Sequence, residues 1–380
     1  MKMRHRLVAM AVVLMASSTS FAQSDDVFRS VYWEQEPRLL PVAFENSDGM
    51  ASASDHYQTD QYQTACGPAC GCCRSGWRVG VEATFLAPSG GNQAGWTFAN
   101  ATTPVTNSFA TSDYGIGGLT PAPRIWASYV CDSGWGVQFR YWELNSSSNY
   151  NDPFFVVGDT FGYASGTNLE MYAFDLEAVK EFCVCDWNMV GTFGYRHAMR
   201  DTNETIGFNG IIARPGGLGG GNDIFAGTAS GIANFEGDGL TFSLSGYRCS
   251  DCCWGLQWFW NARGSVLFGD TYVGALTHAQ LISPSGNATQ TNGGFAGSSD
   301  SIFVAEFQLG AQWSAPLKCI GGRFFVRGAF EYQNWGEMGG AAGATSTVGE
   351  LNVGELTMNA LAPSDSLDLV GFAFSTGIVW

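Results

Sequence analysis

The chain has 380 residues, 45% of them hydrophobic, 14% aromatic and only 14% charged, with 50 glycines. Charge is well below the roughly one quarter usual in globular domains, and the aromatic content argues against a disordered chain. Acidic residues (34) outnumber lysine plus arginine (18), and lysine occurs only at Lys2, Lys180 and Lys318. That balance argues against a nucleic-acid partner, which would need clustered basic residues for phosphate contact.

Residues 1–22 have the form of an export signal. Lys2, Arg4 and Arg6 make a charged start, Leu7 to Ala16 an apolar stretch, and Ser20-Phe21-Ala22 a small-x-small cleavage site before Gln23. The apolar stretch is too short for a bilayer core of ~30 Å, and no other segment is a candidate transmembrane helix. Removing it takes away three basic residues and no acidic one, so the exported chain is more acidic still. Residues 23–75 then read as an irregular arm, acidic over most of its length and ending in Cys66-Gly-Pro-Ala-Cys70-Gly-Cys72-Cys73.

From residue 76 onward the composition changes to period-2 alternation, the pattern of strands with two unlike faces. Ten strands are expected, at 76–87, 120–131, 134–145, 167–183, 186–199, 230–249, 253–269, 301–315, 322–335 and 366–380. One face is apolar, as in Trp77, Val79, Val81, Ala83 and Phe85, or Leu256, Trp258, Trp260 and Ala262. The other carries Arg78, Glu82, Arg124, Arg140, Asp175, Glu177, Arg196, Arg263, Glu306, Arg323, Arg327 and Glu331.

The connections alternate as well. Long Gly/Asn/Ser/Thr-rich links are expected at 88–119, 146–166, 200–229, 270–300 and 336–365, and short ones near Asp132, Val184, Asp251 and Pro316. Long loops at one end and tight turns at the other fit an outer-membrane barrel, whose even strand number leaves both termini in the periplasm. The expectation is thus an all-β fold: a transmembrane antiparallel up-and-down β-barrel over 76–380. A further hairpin has room in 88–119 or 200–229, which would make twelve strands. A soluble barrel would alternate too, with its apolar face inward. The aromatic content of the apolar face favours lipid interfaces instead, as does the ending Phe372, Phe374, Ile378 and Trp380, which looks like the signal read by the barrel assembly machinery.

Four stretches carry a family resemblance: Asp175-Leu-Glu-Ala178, Gly191-Thr-Phe-Gly-Tyr-Arg196, Gly237-Asp-Gly-Leu-Thr-Phe242 and Asn261-Ala-Arg-Gly-Ser-Val-Leu-Phe-Gly-Asp270. Together with the C-terminal strand they resemble the Legionella-type major outer-membrane protein family of pore-forming barrels. The likeness covers roughly 76–380 and is most specific at 261–270. It implies an outer-membrane barrel of a diderm bacterium that conducts solutes, with no enzymatic residues to carry over. The Cys-rich arm and the cysteines in the turns depart from that family's pattern.

The cysteines, at 66, 70, 72, 73, 131, 183, 185, 249, 252, 253 and 319, all fall at the arm or the short turns. In a barrel they therefore gather at the periplasmic end. Disulfides stapling the arm across that mouth are the first expectation for Cys66, Cys70, Cys72, Cys73, Cys131, Cys183, Cys185, Cys249, Cys252, Cys253 and Cys319, given an oxidising compartment. A thiolate metal site and free thiols are the rivals; the spacing matches no standard zinc finger, and the odd count leaves at least one thiol unpaired.

The functional expectation is a narrow pore for small solutes or ions, its inward charges setting selectivity, with outer-membrane lipid as the surrounding partner. Cross-strand pairing of those charges is the competing account. A structural or adhesive barrel presenting long outer loops is the alternative. A hydrolase is the weakest reading: of His56, His197 and His278 only His197 has a nearby acid in sequence, Asp201, and no hydrolase motif is present. No cofactor and no metal are expected, and the oligomeric state stays open.

Overall fold

The computed structural model describes residues 75–380 apart from 91–93, 101–105, 111–117, 157–158, 185–186, 215–220, 250–254 and 318–321. The signal-like segment, the acidic arm and Cys66, Cys70, Cys72, Cys73, Cys185, Cys252, Cys253 and Cys319 lie outside the described residues. Among the described residues no disulfide is formed: Cys131 lies exposed, and the Cys183 thiol donates to Asn188 Oδ1 at 3.4 Å, so the staple expected of the cysteines is not seen among them.

Ten strands close into one antiparallel barrel: β1 (Gly76–Gly90), β4 (Thr120–Val130), β5 (Trp135–Val156), β6 (Asp159–Val184), β7 (Trp187–Ala213), β8 (Asn222–Cys249), β9 (Leu256–Ser283), β10 (Gly286–Pro316), β11 (Arg323–Trp335) and β14 (Leu367–Val379). Each pairs with its neighbour along the ring, and the last strand returns to the first, with Phe85 opposite Phe372. Two backbone bonds tie the ends at that seam, Trp77 N to Trp380 O at 2.8 Å and Trp380 N to Trp77 O at 3.0 Å. The short turns lie where the sequence put them. In the first, Gly134 adopts φ 76° and donates to the Cys131 carbonyl at 2.8 Å, a left-handed conformation that glycine takes at no steric cost.

The lower part of every strand turns large apolar side chains outward. Val81, Phe193, Trp258, Phe268 and Phe374 are each more than half exposed. A continuous apolar belt around a closed barrel is stable only against lipid.

The expected long loops are corrected in two ways. Three of them are strand. β5 to β10 run for 22 to 31 residues, whereas about 9–11 residues cross a bilayer. The other two links supply β2 (Gly95–Asn100), β3 (Thr106–Ala110), β12 (Gly343–Glu350) and β13 (Gly354–Leu361), which form a separate four-stranded sheet in the order β12-β13-β2-β3. The hairpin with room in 88–119 therefore exists, but outside the barrel, which keeps ten strands.

The two faces exchange character along a tall strand. In β7 the outward positions are Phe193 and Tyr195 low down, then Asp201, Asn203, Thr205 and Asn209 higher up. The inward positions run from Thr192 and Arg196 to Ile206, Phe208 and Ile212, the last three all buried. The lower segment is built for lipid outside and polar groups inside. The upper one is apolar inside and mixed outside, where Asn203, Thr205 and Asn209 alternate up to an exposed Ile211.

Candidate functional site

The lumen is filled at two levels. The lower level is a layer of charge. Arg124 on β4 reaches across β1 and β14 to Glu331 on β11, with Nη2 donating to Oε1 at 2.6 Å, and also donates to Glu82 on β1. Arg140 on β5 donates to Glu306 on the far wall at 2.6 Å, and Arg196 on β7 meets the same carboxylate at 2.6 Å. Arg196 also holds Asp175 at 2.6 Å, and Arg263 on β9 donates to Glu177 on β6 at 2.5 Å. Lower still, Arg78 pairs with Glu181, an acid the sequence reading did not single out. Gln308 adds a bond to Glu331 at 2.8 Å.

These groups are buried: Asp175, Arg196 and Glu331 are each 1% exposed. Charges so deep persist only when paired and hydrogen-bonded, because desolvation costs several kcal/mol per ion. Glycines make room for them. Gly239 stands opposite Arg196 and Gly371 opposite Glu331. A Cβ at either would run into a neighbouring carbonyl oxygen, that of Val266 or Phe85.

Ten of the twelve expected lumen residues therefore meet in ion pairs. The remaining two, Arg323 and Arg327, lie nearer the short-turn end. Arg323 donates to Ser314 Oγ at 3.4 Å. Arg327 donates to Gln312 Oε1 from Nε at 3.1 Å and from Nη2 at 2.8 Å, and to the Tyr247 hydroxyl at 3.2 Å. Between the charge layer and the short-turn end lies a polar cavity of about 120 Å³, bounded by Arg78 and Val379 at its outer end and by Arg124, Arg140 and Arg263 at its inner end.

The upper level is apolar. Trp142 and Trp335, both buried, stack at 6.2 Å just above the charges. Beyond them the four-stranded sheet packs on the inner face of the tall wall. Phe98 of β2 sits among Phe161, Phe208 and Phe225 at 5.4, 5.9 and 5.2 Å, and Trp96 meets Phe208 at 4.5 Å. Leu356 and Met358 of β13 complete this core with no measurable exposure. At its top Arg214, following β7, holds Asp223 at 3.1 Å, Ser285 at 3.0 Å and Glu350 of β12 at 3.2 Å. That clamp fixes the inner sheet to the wall. The sheet's other side is polar, with Thr347 and Thr357 hydroxyls 3.0 Å apart.

A third polar group marks the level where the outer face turns from apolar to polar. His197 Nδ1 lies 2.8 Å from Asp238 and its Nε2 lies 3.0 Å from the Tyr172 hydroxyl; Tyr195 also donates to Asp238. This corrects the pairing of His197 with Asp201. Four positions along one strand put the two side chains about 13 Å apart on the same face, and the register gives each another partner: Asp201 stands opposite Asn234 and Glu170, while His197 stands opposite Asp238. Tyr141 donates to Glu143 at 2.7 Å and Tyr332 to Asp368 at 2.7 Å on other strands. Tyrosines with bonded hydroxyls at such a boundary are interfacial anchors. His278 bonds only Thr291, at 2.9 Å. Among the described residues no group of three or more His, Cys, Asp or Glu is arranged to hold a metal.

The structure thus defines a transmembrane β-barrel carrying an extended β-sandwich on its long-strand end. No family model matches the sequence, and no curated protein does. Solved structures similar to it include the outer-membrane protease OmpT from Escherichia coli, at 12% identity, covering 80% of this chain and 96% of that one, with a TM-score of 0.31. The Pseudomonas putida toluene transporter TodX is 7% identical, covering 79% and 89%, with a TM-score of 0.21. A Pseudomonas aeruginosa FadL homologue is 8% identical, covering 80% and 90%, with a TM-score of 0.23. At such scores the likenesses carry no argument about activity, and the barrel rests on its own strand pairing.

Proposed function

We propose that this protein is a closed outer-membrane barrel that anchors and displays an outward-facing β-sandwich, a structural or adhesive surface protein rather than an open conduit. The observation that supports it is the double filling of the lumen, first by cross-barrel ion pairs and then by the aromatic core under the inner sheet. Ten strands give a narrow interior in any case, since wide aqueous channels belong to barrels of 16 to 18 strands. The tall wall of β7, β8 and β9, which mixes Asn, Thr and Ser with exposed Ile211, Ile224 and Leu276, gives such a protein a broad surface beyond the membrane.

The narrow pore implied by the family resemblance is the second reading. It draws on the polar cavity at the periplasmic end, where the charge layer is made of side chains alone. Recording from the purified protein in planar bilayers separates the two. A closed anchor gives no conductance above the lipid background, whereas discrete ion-selective channel openings would replace it with the pore. Loss of surface attachment on removing β12 and β13, with permeability unchanged, would add the adhesive role.

A further inference from the structure

The periplasmic-end cavity contains a cation that the charge layer does not neutralise. Below the level of Trp142, seven inward arginines, Arg78, Arg124, Arg140, Arg196, Arg263, Arg323 and Arg327, stand against six carboxylates, Glu82, Asp175, Glu177, Glu181, Glu306 and Glu331. The partners of Arg327 are all neutral: the Gln312 amide oxygen, the Tyr247 hydroxyl and three aromatic rings. Its guanidinium lies over Phe259 at 4.4 Å, so its plane and position are set before anything binds. No carboxylate among the described residues forms an ion pair with it.

Two further features of the same cavity point the same way. Arg124 Nε and Arg263 Nε are buried N–H donors with no hydrogen-bond acceptor, and both residues line it. A buried donor left unmade costs about 1–3 kcal/mol, more when charged. The other wall is apolar, with Trp126 stacked on Phe325 at 5.9 Å. A cation in a low-dielectric chamber, unpaired donors at its inner end and space of about 120 Å³ are complementary to a negative charge of few atoms.

We propose that this cavity is a binding site for a small oxyanion, a carboxylate or a phosphate entering from the periplasmic end, with Arg327 as its principal contact. The planar fork of an arginine suits two oxygens of one anion, and its stacking on Phe259 leaves little ordering cost on binding. The site stands on the cavity alone and holds whether or not the lumen conducts.

The test is isothermal titration calorimetry on the full chain folded in detergent, with sodium phosphate and sodium acetate as probes at constant ionic strength. One saturable site is expected in the wild type, and the tighter of the two probes identifies the oxyanion type. Arg327→Met keeps the length and the stacking but removes the charge; it should weaken binding about ten-fold or more, the loss of one charge-assisted hydrogen bond. Arg327→Lys keeps the charge but not the planar fork or its stacking on Phe259, so it should bind more weakly than the wild type and more tightly than Arg327→Met. If Arg327→Met does not fold, Ser245→Leu, which fills the same cavity without touching the charge, should abolish binding instead. No saturable heat with either probe in the wild type overturns the site, as does unchanged affinity in folded Arg327→Met or Ser245→Leu.

Discussion

Replacing Glu306 by Gln tests whether the charge layer stabilises the barrel as a connected unit. Glu306 accepts from Arg140 and Arg196, each at 2.6 Å, with all three side chains at most 9% exposed. At an effective dielectric of about 20, each contact is worth about 6 kcal/mol in gross Coulomb energy, most of it offset by desolvation. Gln keeps the shape and removes the charge, so two buried guanidinia would share the carboxylate of Asp175, already bonded to Arg196 and 3.5 Å from Arg140. The expected loss is about 3–5 kcal/mol, the range for breaking a buried pair by removing one partner. Reversible urea unfolding in lipid vesicles, followed by tryptophan fluorescence, reads it. The double variant Arg140→Met with Glu306→Met should lose less than the sum of its single variants, because neither charge is stranded. A loss below about 1 kcal/mol for Glu306→Gln, or strict additivity in the cycle, would refute the idea of a connected layer.

Phe98→Ala should loosen the sandwich at the long-strand end by about 3–5 kcal/mol, as truncation of a buried phenylalanine does; faster amide exchange in β2 and β13 with unchanged exchange in β1 and β14 is the expected pattern. Arg214→Ala strands Asp223, which is fully buried, and releases Glu350, so limited proteolysis should cut at the 351–353 turn, where the wild type resists. Phe374→Arg places a charge on the lipid face at a side chain 57% exposed; it should cost about 2–4 kcal/mol of folding in vesicles, while Leu351→Arg in the 86%-exposed turn should cost nothing measurable. Gly371→Val drives a side chain into the Phe85 carbonyl at the closing seam, and a low yield of the heat-modifiable folded form on gels is expected.

The sequence by itself determined the membrane half of this molecule. Alternation between residues such as Phe193 and Arg196 sets strand direction and face, and the spacing of short turns sets an up-and-down order, so ten strands followed from local pattern. Arg124, Asp175, Arg196 and Glu331 were legible as inward because strand periodicity is local. Their partners were not, because Arg124 and Glu331 are 207 positions apart and only closure of the ring brings them together.

The long-strand half shows the opposite. Segments such as Asn203–Asn209 read as loop because Asn and Gly are poor strand formers, yet their alternation continues with the apolar side turned inward. Nothing local says which solvent each face meets. That was decided by the first and last long links, whose strands pair β2 with β13 across most of the chain and give Ile206, Phe208 and Phe225 a surface to pack against. A low charge content in the sequence meant lipid outside; where the few charges meet, and that they close the lumen, belongs to the tertiary structure, since burial makes an ion pair obligatory only once its partner is within reach.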